Sequence, residues 1–165
     1  MSRSTNLKLR ICQAFKKRLS VSSFKDITVS SLCIECKINR KTFYNNFEDK
    51  YKLAFYLFES EFIDSTSQKN VDLFENLERL CYYLESNKTV YRKLFSYEEQ
   101  SDFISAFKNY LLSLVKNANC KDSKVNLTFL INALTANFYE WLIASENIDY
   151  TNFYLQLQVF LQNFF

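Results

Sequence analysis

The chain has 165 residues, of which 48% are hydrophobic and 18% aromatic; its net charge is +3, and it contains no glycine, no proline and no histidine. This length buries one good core or two small ones in series. Without glycine, the positive-φ hairpin turns of an all-β fold and the phosphate-cradling loops of nucleotide enzymes lack their usual residue; without histidine, the commonest general base is missing, no catalytic constellation stands out, and an enzyme is not expected.

The first predicted element is a helix over about residues 5–19, with Leu7, Ile11, Ala14, Phe15 and Leu19 on one face. Ser22, Ser23 and Asp26 mark a loop, and Phe24 and Ile27 are expected to tuck beneath it. Thr28 is a suitable N-cap for a second helix. In that helix Val29, Leu32, Cys33 and Cys36 recur at i, i+3, i+4 and i+7 and so share a face. A turn falls near Lys37, with Ile38 as an apolar plug. A short third helix over about 39–45 follows, capped by Asn39 and anchored by Phe43 and Phe47, four residues apart. This leaves Asn39, Arg40, Lys41, Thr42, Tyr44 and Asn45 facing outward, with donors that suit phosphates and base edges. Arg40 and Lys41 are the foremost candidates for reading a base or a phosphate. The layout is that of a DNA-reading helix-turn-helix.

A fourth helix is expected to begin near Glu48 and Asp49, acidic residues that favour a helix N-terminus, and to run to about Ser67. Further helices are predicted over about 70–86, 88–96 and 100–117, with a polar break from Asn117 to Asp122. The next, about 123–145, is apolar nearly all round, with Leu127, Leu130, Ile131, Leu134, Phe138, Trp141 and Leu142. In the last segment, about 150–165, Leu155-Gln-Leu-Gln-Val159 alternates like a strand. Phe153, Leu157, Phe160, Leu161 and Phe164 fit a helix, which is the assignment made because no partner strand is in sight. Two final helices too apolar for burial on one side point to a homodimer interface over about 123–165. The fold class is therefore all-α, with a three-helix head over residues 1–50 and a helical regulatory and dimerisation bundle over 51–165.

Charge divides the chain in the same place. Residues 1–52 hold 12 lysines and arginines against 4 aspartates and glutamates, a balance of +8; residues 53–165 hold 9 against 14, a balance of −5. A basic head on an acidic body is the electrostatic footprint of a nucleic-acid reader.

Residues 5–55 resemble the TetR (tetracycline-repressor) family of transcription regulators. The resemblance is carried by Ile27-Thr28-Val29, by Ile38-Asn39-Arg40-Lys41-Thr42-Phe43-Tyr44, and by Phe47-Glu48-Asp49-Lys50 followed by Leu53. It departs at the turn, where Cys36 replaces the usual alanine and Lys37 the usual glycine; lysine at positive φ costs about 1 kcal/mol. The resemblance implies Thr28 and Lys50 as phosphate contacts and Thr42 and Tyr44 as backbone or base contacts. It also implies dimerisation through the last two long helices, and a repressor of a near-palindromic operator released by a small-molecule effector. Tyr82, Tyr83, Phe103, Phe107, Phe138, Tyr139 and Trp141 are candidates for an effector pocket, though such aromatics more often form plain core.

Cys33-Ile-Glu-Cys36 has the C-x-x-C form, but a zinc site needs about four ligands and the chain offers no histidine and no second pair. The reading is buried packing, with no metal and no cofactor. Five cysteines argue against a disulfide framework, and Cys120 in its polar loop is the candidate for a redox thiol. No apolar run reaches the roughly 18 residues of a membrane span, and the N-terminus runs into an amphipathic helix rather than a signal-peptide core, so a cytoplasmic protein is expected. The alternative function is a helical protein-interaction adaptor with a vestigial DNA-binding head.

Overall fold

The computed structural model describes residues 3–64, 72–96, 101–118, 126–144, 148–162 and 164–165. Among these residues every regular element is helical, as expected of a chain without glycine or proline. The helices are α1 (Arg3–Val21), α2 (Val29–Glu35), α3 (Arg40–Tyr44), α4 (Lys50–Phe58), α5 (Leu73–Ser86), α6 (Lys88–Phe95), α7 (Ser101–Asn117), α8 (Leu127–Ile143) and α9 (Tyr150–Leu161). α4 continues through a π turn, Glu59–Ile63, in which the hydrogen bonds reach one residue further than in an α-helix. No helix among the described residues is long and apolar enough to cross a membrane.

The helix starts are written in local chemistry. Asp49, Asp72, Asn126 and Asp149 each accept backbone N–H groups from the first turn of α4, α5, α8 and α9. Each such cap contributes about 1 kcal/mol. The Cys120 loop expected to be polar lies outside the described residues.

α1, α2 and α3 close a small core around Phe15, Phe24, Ile27, Leu32, Phe43 and Phe47, all buried. α4 packs against α1 on one side and α7 on the other, so it carries the head into the body. There α5 pairs with α9, α6 with α8, and α7 with α8. The body core centres on Phe58, whose ring meets those of Phe62, Tyr83, Tyr91, Phe103, Phe107 and Tyr110 at centroid distances of 5.5–6.3 Å. Most of these contacts are edge-on or tilted, the arrangements favoured by the ring quadrupole.

α8 is less uniformly apolar than its composition suggested. Leu130, Ile131, Leu134, Phe138, Trp141 and Leu142 point inward, whereas Asn132, Ala136, Asn137 and Glu140 are exposed beside Phe129 and Tyr139. Trp141 stacks on Phe153 at 4.3 Å and donates its indole N–H to the Ile148 carbonyl at 2.8 Å. The segment after residue 150 is a helix. Phe153, Leu157 and Leu161 bury one stripe at four-residue spacing, and Leu155 and Val159 alternate with Leu157 only because they lie on the opposite side. Leu155, Val159 and Phe160 remain exposed.

Candidate nucleic-acid interface

The turn between α2 and α3 decides where α3 points. Lys37 has φ 51°, in the left-handed region. The N–H of Ile38 reaches the Cys33 carbonyl at 2.9 Å and the N–H of Lys37 reaches Ile34 at 3.1 Å. These two bonds form a Schellman motif, a helix ending that ordinarily selects glycine at the left-handed position. Lysine occupies it here with its side chain exposed, while Ile38 packs against the core. The strain expected at Lys37 is therefore present and the turn geometry is retained. Arg10 braces it by donating to the Cys36 carbonyl at 3.3 Å, and Arg18 ties α1 to α2 through Glu35 at 2.6 Å.

Thr28 caps α2 as expected, in a reciprocal box with Ser31. Its hydroxyl accepts the Ser31 N–H at 3.1 Å, and its own N–H donates to the Ser31 hydroxyl at 3.3 Å. Asn39 caps α3 by accepting the Thr42 N–H at 2.7 Å. α3 then stands on Phe43, which is fully buried, and Phe47. Arg40, Lys41, Tyr44 and Asn45 are exposed in one row, and Thr42 is half-buried. Tyr44 is 48% exposed, and its ring rests edge-on against Phe43 at 5.6 Å. Thr28, Asn39, Arg40, Lys41, Tyr44 and Asn45 are all solvent-facing, with the cations of Lys37, Arg40 and Lys41 clustered in sequence around the turn.

Lys50 is placed differently from the other candidates. Its ammonium donates to the carbonyls of Phe24 at 2.9 Å, Ile27 at 3.1 Å and Lys25 at 3.3 Å, and lies 4.5 Å over the Phe24 ring. An ammonium has three protons. In this geometry the ammonium ties itself to the loop between α1 and α2, which fixes the start of α2 against α4. The sequence held no signal for this, because the partners are backbone atoms more than twenty positions away.

The cysteines pack as small apolar residues. Cys12, Cys33, Cys36 and Cys81 are buried. Burial, with Glu61 nearby, pushes the Cys12 thiol up to about 12, and burial likewise raises Cys36 and Cys81. Thiols so suppressed are poor nucleophiles and poor metal ligands at neutral pH. Of the aromatics considered for an effector pocket, Tyr82 is exposed, Tyr139 is at the surface, Tyr83 is half-buried, and Phe103, Phe107, Phe138 and Trp141 are close-packed core.

No protein-family model matches the chain. One curated relative, the HTH-type dhaKLM operon transcriptional activator DhaS of Lactococcus lactis subsp. lactis (strain IL1403), is 30% identical over 106 residues, spanning 61% of this chain and 56% of that protein. The chain thus matches little more than half the length of this relative. Among solved structures, the dihydroxyacetone kinase operon activator DhaS superposes with a TM-score of 0.66 over 96% of this chain and 97% of the other, at 24% identity. The chain therefore shares the all-helical fold of that activator from end to end, from the helix-turn-helix to α9.

Proposed function

We propose that the protein is a cytoplasmic, sequence-specific regulator of transcription that binds double-stranded DNA through α3. The observation that carries this reading is the exposed row Arg40, Lys41, Tyr44 and Asn45, raised on buried Phe43 and Phe47 behind a Schellman turn. Such a helix can enter a major groove, where arginine and lysine pair with guanine and asparagine with adenine. Thr28 and Thr42 supply backbone contacts on either side. Residues 1–50 are the reading head and 51–165 the regulatory bundle. Similarity to an operon activator, by name, supports regulation of transcription. The TetR resemblance implies repression and release by an effector; a reporter carrying the operator upstream or downstream of the promoter separates the two signs.

The exposed apolar residues Phe129, Leu155, Val159 and Phe160 on α8 and α9 support pairing with a second copy. A dimer presents two α3 helices about 34–36 Å apart, one per successive major groove, and demands a near-palindromic operator. Selection from random duplex DNA tests the reading. Enrichment of an inverted repeat is the expected result. No enrichment at low salt overturns it and favours the adaptor.

A further inference from the structure

One continuous chain of polar groups crosses the junction between head and body, in a region otherwise filled with aromatic rings. Tyr91 of α6 is fully buried, and its hydroxyl lies 2.7 Å from that of Tyr83 in α5. The Tyr83 hydroxyl donates to Glu61 Oε2 at 2.9 Å, and Lys16 Nζ of α1 donates to the same oxygen at 2.7 Å. A carboxylate only accepts, so the Tyr83 proton goes to Glu61 and the Tyr91 proton must go to the Tyr83 oxygen. The chain therefore has one direction, and each member depends on the next. Burial raises both phenols, which keeps them protonated donors.

Glu61 sits within the π turn at the end of α4. π turns are rare and concentrate at functional sites. Phe62 beside it stacks on Tyr83 at 5.0 Å, so the turn, the carboxylate and the α5 ring form one packed unit. A second tie, Lys93 Nζ of α6 to the Leu19 carbonyl at 2.7 Å, holds the far end of α1 to the same body helix. Loss of the Tyr83 hydroxyl leaves the fully buried Tyr91 hydroxyl without this partner, which links the inner members of the chain.

We propose that Lys16, Glu61, Tyr83 and Tyr91 form a positioning device that couples the packing of α5 and α6 to the angle at which α1 holds the reading helix. Its functional meaning rests on the DNA-binding reading above; its mechanical meaning does not. Coupling of this kind is reciprocal: a change at either end is felt at the other.

Amide hydrogen exchange on the full chain tests it without DNA. Tyr83→Phe should speed exchange in α1 by about threefold to tenfold, the size of one net hydrogen bond. Lys16→Met should speed exchange in α5 and α6 around Tyr83 and Tyr91. Thr135→Val, which removes a different buried hydrogen bond, to the Ile131 carbonyl in α8, should leave α1 unchanged. If Tyr83→Phe does not fold, Glu61→Met, which removes the acceptor, takes its place with the same expectation. Changes confined to α5 and α6 in Tyr83→Phe, or an equal rise in α1 with Thr135→Val, overturn the device. On the selected operator, Tyr83→Phe should weaken binding several-fold, and adding Glu61→Met should weaken it no further. Unchanged affinity alongside faster α1 exchange overturns the regulatory half alone. Failure of the parent to select any DNA overturns the DNA reading and leaves exchange to decide the coupling.

Discussion

The head and the body of this molecule are held together by different physics. The body is packed ring against ring around Phe58, Phe103, Phe107 and Phe138, with dispersion and apolar burial as its main forces. The head has a smaller aromatic core and compensates with directed contacts: the Thr28–Ser31 box, the Arg18–Glu35 pair, and Lys50 on three carbonyls. A helix proposed to read DNA needs a fixed angle, and hydrogen bonds carry directional requirements that constrain such angles. The head thus leans on single polar side chains and the body on volume, with the Tyr83–Tyr91 hydroxyl pair as the body's polar exception.

The largest break in that contrast should come from the body. Phe58→Ala removes a ring that meets six others and should cost roughly 3–5 kcal/mol in chemical denaturation. A loss below about 1 kcal/mol would mean that the body relaxes around the gap and is not packed by shape.

In the head, Lys50→Ala should lower stability by about 2 kcal/mol, since hydrogen bonds to a charged group are each worth about 1.5–3 kcal/mol before solvent exposure is discounted. Its salt dependence of DNA binding should stay close to that of the parent. If stability is instead unchanged and the slope of log affinity against log salt falls by about one unit per contact, Lys50 leaves the carbonyls for a phosphate, as the sequence resemblance first implied.

Arg40→Ala and Lys41→Ala should leave the melting temperature unchanged and weaken operator binding by roughly 1–3 kcal/mol each, relaxing preference at one position per half-site. Tyr44→Phe, which keeps the ring on Phe43, isolates the hydroxyl. Variants that remain folded and bind the selected operator as tightly as the parent would remove α3 from the reading role.

The smallest effect is expected at the turn. Lys37→Gly relieves a left-handed lysine and should stabilise the head by about 1 kcal/mol, less the added entropy of glycine in the unfolded chain. A destabilised glycine variant would show that the lysine side chain contributes more than its strained backbone costs.

Much of the head was readable in advance because its signals are local. The i, i+3, i+4, i+7 face of α2, the caps Thr28 and Asn39, and the anchors Phe43 and Phe47 all act within about one turn of themselves in sequence. The strain at Lys37 was legible for the same reason, as was the all-helical class of a chain without glycine or proline. Periodicity left α9 open between strand and helix, and the absence of a partner strand favoured the helix that the structure shows, with its buried stripe at four-residue spacing. Tertiary structure alone decided what pairs with what. Lys50 looked like another outward cation until the Phe24–Ile27 carbonyls came within reach of it. Lys16 and Glu61, forty-five positions apart, carry no local signal of pairing, and only the placing of α1 beside the π turn joins them. The outward face of α8 became mixed rather than apolar only once the body chose which stripe to bury. Local pattern states which residues a helix offers; only the neighbouring helices determine which of those offers are taken up.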